Sequence, residues 1–373
     1  AALAWELNLP LPRRYEFVFC ASHGTGTSAL FAFLKRCEVT WLEYHSWEDL
    51  SAFRVYVYFF AHLLAIPGYK ILVFKYLPCG YKKLFALMDK KVDALFLLRD
   101  PFENWASYCN FSGRRDNFCE SISWREDVRT AMDVFCFLNF PTSAPKMDEN
   151  LLCAWERLDG QNKENCGHLF ESHVIKWTKN LQNLHFIQTK DLHKMTAFET
   201  MKRLSKIFSF ELLGDARLFE EQKVSNLNIL FPRTIVFEHG CTIKIQTIYA
   251  GWDEGEFVDL KDRLYPRGGV FFDEIVLLVE REKLALIDEK SLVEYFKKFQ
   301  LAIKERLDLQ ATYKLSPEHI LSLFKKPSET RKKLKKLFDE NFHPFKKYCP
   351  EIIASWKYYQ EFERLCAKDA LKD

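Results

Sequence analysis

Residues 24–29, Gly-Thr-Gly-Thr-Ser-Ala, place two glycines and three hydroxyls within six positions, between an apolar run ending at Cys20 and another beginning at Leu30. Backbone amides at the start of a helix, helped by hydroxyls, surround anions, and three anions compete for this loop. The pattern G-x-G-x-x-A is a dinucleotide fingerprint, with Glu43 standing where a ribose-binding acid would. Against it, Ala21, Ser22 and His23 intervene before the first glycine and make the loop longer. A nucleoside triphosphate loop requires Lys after its last glycine, and Thr27 stands there. A 5′-phosphosulfate carries less charge than a γ-phosphate and needs no Mg²⁺, so Gly24, Thr25, Gly26, Thr27 and Ser28 suit it. An ordinary Gly/Ser/Thr turn is the plain structural alternative.

A second cluster narrows the choice. Arg99 ends the apolar run 93–99, at a strand end where α/β folds bind ligands. Asp100, Pro101 and Glu103 read as a helix start: an N-cap, a proline at N1 and a capping-box acid. Ser107 shares a helix face with positions 100, 103 and 104, so Arg99 and Ser107 can close on one phosphate. An ion-paired Arg and a surface Ser are the structural alternatives.

Together "GTGTSALFAFL" (24–34) and "RDPFENWAS" (99–107) resemble the two nucleotide clamps of sulfotransferases that use 3′-phosphoadenosine-5′-phosphosulfate (PAPS). The pattern is closest to the heparan sulfate and other carbohydrate sulfotransferases. Further similarities are "FKYLP" (74–78), "TKDL" (189–192) and "SETRKKLKKLFDENFHPF" (328–345). The resemblance implies a PAPS-dependent transferase with the 5′-phosphosulfate on His23, Gly24, Thr25, Gly26, Thr27 and Ser28. The 3′-phosphate falls to Arg99 and Ser107. "LEYHSW" (42–47) resembles the Glu-x-His of the heparan sulfate branch, which makes Glu43 the base and His45 its partner or a substrate contact. Lys75 would contact the acceptor or assist catalysis. The chain departs from the family at Gly24, where the family carries a Lys or Arg that donates to the leaving oxygen. His23, if protonated, or Lys75 must then replace it, and failing both the chain is a slow or non-catalytic relative. Arg233 and Arg267 are weaker candidates for the 3′-phosphate.

The implied acceptor is a carbohydrate hydroxyl or amine. A small hydroxylated metabolite is the alternative, suited by the aromatic segment 51–66. A nicotinamide oxidoreductase and a non-catalytic nucleotide-binding relative are the competitors from other classes. No metal is expected, because no CxxC pair or Cys/His array has zinc spacing.

The elements that must position these residues form an α/β fold. Continuous apolar runs at 15–20, 39–43, 70–75, 93–99 and 184–189 read as strands buried on both faces of a parallel sheet. Helical patterns intervene at 101–110, 149–158, 168–181 and 194–208, giving a P-loop-like, doubly wound sheet flanked by helices. The stretch 234–251 alternates as a β-hairpin near His239-Gly240, and the last hundred residues read as helical. One sulfotransferase-like domain over 1–373 is expected, with a nucleotide-binding core at 15–213, an unaligned insertion at 214–327 and a C-terminal helical part at 328–373. The basic run 325–338 reads as an amphipathic helix with a solvated outer face.

Apolar residues make up 48% of the 373, enough for a sizeable core, and 54 Lys and Arg nearly balance 51 Asp and Glu. Nucleic acid is therefore not the expected partner. Eleven cysteines fit a few disulfides or a reduced chain equally. No apolar run reaches the ~20 residues of a membrane helix, although a membrane anchor upstream of Ala1 stays compatible with the sequence. The sequon Asn110-Phe111-Ser112 points to a lumenal compartment, the Golgi lumen being expected and the cytoplasm the alternative.

Overall fold

A computed structural model of the protein describes residues 1–44, 51–75, 81–114, 120–129, 135–137, 171–219, 227, 230–237, 240–248, 251–264, 274–325 and 329–370. The expected helix at 149–158, His45, His239 and Arg267 lie outside the described residues. The chain divides into two compact units. The first comprises Ala1–Tyr108, Ala154–Lys223 and Ser316–Asp373, and the second Cys109–Cys153 and Val224–Leu315.

The first unit is built on five parallel strands, β1 (Phe17–Ala21), β2 (Thr40–Glu43), β3 (Lys70–Phe74), β4 (Val92–Leu98) and β5 (Leu181–Gln188), in the order β2-β3-β1-β4-β5. All five expected strands are present within about three residues of their expected bounds. The central strands β1 and β3 are buried along their whole length. Their unbroken apolar runs arise because helices cover both faces of a parallel sheet.

Helix α1 (Thr27–Arg36) follows β1 and turns Leu30, Phe31, Phe33 and Leu34 into the core, where Phe19 meets Phe31 edge to face. Each such side chain withdraws enough apolar surface to contribute roughly 1.5–3 kcal/mol. Helix α2 (Ala52–Ala65) starts at Ser51, whose hydroxyl accepts the Arg54 amide, and buries Val55, Tyr56, Phe59 and Leu63. The aromatic segment expected as core or pocket lining thus supplies core. Helix α3 (Pro101–Cys109) follows β4, and α4 (Ala197–Phe208) follows β5. Near the C-terminus, α5 (Glu329–Tyr348) buries Leu334, Phe338, Phe342 and Phe345. Its Lys332, Lys333 and Lys336 are exposed, as the amphipathic pattern requires. Arg331 departs from that pattern: it is buried and donates to the Phe324 and Lys325 carbonyls. The last helix is α6 (Lys357–Ala370).

The second unit contains a five-stranded sheet in the order Phe257–Asp259, Ile275–Glu280, Thr242–Thr247, Arg233–Val236, Ser121–Ser123. Arg233–Val236 and Thr242–Thr247 pair antiparallel, as the alternating stretch predicts. The long helix Glu289–Thr312 buries Phe296, Phe299 and Ile303 in one cluster with Ile243, Ile245 and Leu277 of the sheet. Asn110 belongs to this unit, and its carboxamide donates to the Leu315 carbonyl at 2.7 Å while accepting the Leu315 amide at 2.8 Å. The sequon side chain is thus engaged at both ends in packing.

Candidate functional site

The β1 and β4 connections diverge, one toward β2 and the other toward β5. The carboxyl ends of these two strands are therefore the switch point at which open α/β sheets bind ligands. Register pairs Ala21 with Leu97, so the loop after β1 and Arg99 after β4 emerge side by side.

The loop owes its shape to two glycines in the left-handed region, Gly24 at φ 86° and Gly26 at φ 97°. A Cβ on Gly24 would lie 2.5 Å from Asn104 Oδ1 of α3, and one on Gly26 would lie 3.2 Å from Thr189 Cγ2. The departure from the resembled family at position 24 therefore has a local cause: a Lys or Arg fits neither the backbone nor the space. Three loop carbonyls accept bonds. Thr25 Oγ1 donates to Ser22 O (2.7 Å), Arg99 Nη1 to Gly24 O (2.8 Å) and Thr189 Oγ1 to Thr25 O (2.6 Å). Ser22 Oγ donates to Glu171. Gly26 is the N-cap of α1 and gives it no side-chain cap, so the Thr27 and Ser28 amides have no intrahelical acceptor. This is a preformed cradle with its donors at a helix N-terminus, and it fits a phosphate or sulfuryl group.

Glu43 ends β2 and Lys75 follows β3, where the register of Glu43 with Val73 brings them together. The Lys75 ammonium lies 2.9 Å from Glu43 Oε1, and their side chains are only 14% and 5% exposed respectively. Lys75 also lies 4.5 Å from the centre of the Phe31 ring of α1. His23 packs edge-on against Tyr108. Burial, and next the charge of Lys75, hold the His23 imidazole below its usual range. The protonated His23 invoked to replace the resembled family's basic residue is therefore disfavoured in the free protein, which leaves Lys75 beside the loop. Three of the four expected catalytic residues, Glu43, Lys75 and His23, form one electrostatic cluster. The fourth, His45, lies outside the described residues.

Arg99 also approaches Glu103, with Nε 3.4 Å from Oε2, one helical turn on. Ser107 is half-buried in α3, one turn beyond Asn104. Asp100 is more than the expected cap. Its Oδ1 accepts the Phe102 amide of α3 at 3.0 Å, and its Oδ2 accepts the Tyr358 and Tyr359 amides of α6 at 2.9 and 3.2 Å. One buried carboxyl thus starts two helices. Burial pushes its pKa up to about 6 against the pull of those three amides.

Arg99 opens onto a cavity of about 410 Å³ whose walls also carry Lys190, His193 and Lys357. These three cationic or titratable side chains, and the loop partners Asn104, Thr189 and Glu171, were not singled out from sequence. Asn104 was foreshadowed by the shared helix face of 103/104 and 107, and Thr189 by "TKDL". Nothing local marks Glu171 or Lys357. Arg233 is 1% exposed inside the second unit and donates Nε to Leu230 O at 2.9 Å. Its burial leaves no surface to offer a nucleotide phosphate, which corrects its candidacy. Among the described residues, no group of three or more His, Cys, Asp and Glu side chains is placed to hold a metal ion, and no helix is long and apolar enough to cross a membrane.

Residues 186–368 match the model of a protein family described only as of unknown function (DUF2972). The match includes Thr189, Lys190 and Lys357 but neither the 24–28 loop nor Arg99. No curated protein and no solved structure matches the chain.

Proposed function

We propose that the protein is a PAPS-dependent sulfotransferase on a P-loop-like sheet, with a carbohydrate hydroxyl or amine as acceptor. The observation that carries this reading is the 2.8 Å bond from Arg99 Nη1 to the Gly24 carbonyl, which joins the two clamps at the switch point between β1 and β4. In this reading the amides of α1's first turn and the hydroxyls of Thr27 and Ser28 hold the 5′-phosphosulfate, while Thr25, bonded to the Ser22 carbonyl, shapes the loop. Arg99 and Ser107 take the 3′-phosphate, and the cavity lined by Lys190 and Lys357 adds positive charge on the Arg99 side.

The transfer breaks the bond between sulfur and the 5′-phosphate oxygen and forms one between sulfur and the acceptor. Glu43 accepts the acceptor's proton, a role worth about 10²–10⁴-fold in rate. Lys75 supplies the charge that Gly24 cannot, stabilising the leaving phosphate oxygen. The strand order argues against the dinucleotide alternative: β3 lies beside β1, whereas dinucleotide-binding sheets put β2 there. The pairing of Glu43 with Lys75 likewise diverts that carboxylate from a ribose.

The test is transfer of radiolabelled sulfate from PAPS to a panel of glycans and phenols. Label on a glycan supports the reading. Label on phenols alone retains the transferase and shifts the acceptor class. Binding of the nucleotide without transfer to any acceptor identifies a non-catalytic relative.

A further inference from the structure

The cavity of about 410 Å³ beside Arg99 has walls from the ends of β4 and β5, the start of α3 and residues 355–357 at the start of α6. Neither the loop 24–28 nor Ser107 lines it. It therefore stands beside the two clamps and shares only Arg99 with them. That guanidinium is committed to Gly24 O at 2.8 Å and approaches Glu103 Oε2 at 3.4 Å.

The carboxylate and carboxamide acceptors on the wall are occupied. Asp100 receives three backbone amides, Glu103 faces Arg99, and Gln188 Oε1 accepts Ser355 Oγ at 3.2 Å. The donors have capacity to spare. Lys190 Nζ has Ser355 Oγ at 3.5 Å and pairs with no carboxylate among the described residues. Lys357 lies 3.7 Å from Glu318 with its side chain 70% exposed, a pairing worth little in water. Trp356 is 3% exposed, and its Nε1–H has no acceptor among the described residues. A buried donor left in that state costs about 1–3 kcal/mol, a penalty that a ligand oxygen would relieve. His193 adds a ring N–H.

Charge decides the ligand class. Arg99 and Glu103 offset each other and Asp100 is answered by its amides, which leaves two ammonium groups. A carboxylate or a sulfate ester would neutralise one of them. A phosphate monoester carries about −1.5 to −2 at pH 7 and offers three strong acceptor oxygens, enough for Lys190, Lys357 and the indole. The volume exceeds that of a bare phosphate, and Leu98, Pro317 and the Trp356 ring give apolar wall for an attached body of about one or two rings. We infer that this cavity binds a small phosphate monoester as a site of its own, separate from the nucleotide, through Lys190, Lys357 and the Trp356 indole N–H. The inference does not rest on the sulfotransferase reading, and sulfuryl transfer could fail with this site intact.

The experiment titrates the full chain with phenyl phosphate and glucose 6-phosphate, and with phenyl sulfate and glucose as their counterparts. It reads calorimetry and the indole N–H resonance of Trp356, assigned by its loss in Trp356→Phe. At least one phosphate ester is expected to bind ahead of its counterpart and to shift that resonance. Saturating 3′,5′-adenosine bisphosphate should leave the ester in place. Lys190→Met and Lys357→Met are each expected to weaken ester binding about tenfold or more, roughly 1.4 kcal/mol. Trp356→Phe, which keeps an aromatic ring, is expected to weaken it several-fold, and Ser107→Ala should leave it unchanged. The inference is overturned if neither ester binds, if phenyl sulfate binds as well as phenyl phosphate, or if both lysine variants leave affinity unaltered. Displacement of the ester by the bisphosphate would also overturn it, because the cavity would then hold the nucleotide's own phosphate. Ester binding by a chain that takes no bisphosphate would retire the sulfotransferase reading and leave this inference standing.

Discussion

Arg99 and Gly24, 75 residues apart in the chain, are joined by a single 2.8 Å bond from guanidinium to carbonyl. The bond pins the anion loop to the strand end that carries the second clamp. It also uses a carbonyl that would otherwise repel a bound anion. The site follows from that contact and from the two positive-φ glycines that shape the loop.

Gly24 is the position least able to change. Its φ of 86° and the 2.5 Å approach of Asn104 Oδ1 both oppose a side chain. Gly24→Ala is expected to cost about 1–3 kcal/mol of stability, the usual range for strain at such a backbone position, and to abolish nucleotide binding. Gly24→Lys, which introduces the basic residue of the sulfotransferases the loop resembles, is expected to fare no better. Denaturant unfolding and nucleotide titration check both, and a Gly24→Lys variant with gained activity would contradict the structural account of this departure.

Glu43 and Lys75 are predicted to act as a pair. Glu43→Gln should lower kcat by about 10²–10⁴-fold with little change in nucleotide affinity. Lys75→Met leaves a buried carboxylate without its 2.9 Å partner and is expected to destabilise the fold by roughly 3–5 kcal/mol. The double variant should recover part of that loss, and a double-mutant cycle measures the coupling. Additive losses would mean that the two groups do not depend on each other.

Asp100 predicts a stability that depends on pH. Its pKa is raised to about 6 in the fold, above the ~3.9 of an unfolded chain, so the fold binds the proton more tightly. The associated stability is fully present below about pH 4 and is lost as pH rises through 6. It amounts to on the order of 3 kcal/mol. Asp100→Asn should flatten this segment of the profile, measured by denaturant unfolding across pH 4–7 at fixed salt. An unchanged slope would remove Asp100 as its source.

His23 predicts a coupling between binding and protons. Burial and Lys75 hold its pKa below the usual range in the free protein, and an anion in the adjacent loop raises it. Nucleotide binding should therefore take up protons and strengthen as pH falls toward the His23 range. Calorimetry in buffers of different ionisation enthalpy measures the uptake, and His23→Gln should abolish it. Uptake that survives in His23→Gln would assign the proton to another group.

Much of the fold was legible because its signals are local. Unbroken apolar runs mark strands buried on both faces, and Asp100-Pro101 marks the start of α3. Gly24 and Gly26 mark a loop of unusual backbone. Arg99 stood out because an Arg is conspicuous at the end of such a run. The partners were not legible, since they come from contacts between distant segments: Ser22 with Glu171 across 149 residues, and Asp100 with Tyr358 across 258. The same holds for His23, whose lowered pKa depends on burial and on the distant Lys75. The joining of Cys109–Cys153 to Val224–Leu315 in one compact unit is also a long-range pairing that periodicity does not carry.

The most direct measurement of the central claim is calorimetric titration of the chain, and of its Arg99→Ala variant, with 3′,5′-adenosine bisphosphate and with NAD. The account predicts that the bisphosphate binds far more tightly than NAD. It also predicts that Arg99→Ala weakens bisphosphate binding by roughly 1.5–3 kcal/mol, the range for a hydrogen bond to a charged group. Preference for NAD, or a bisphosphate affinity indifferent to Arg99, would contradict it.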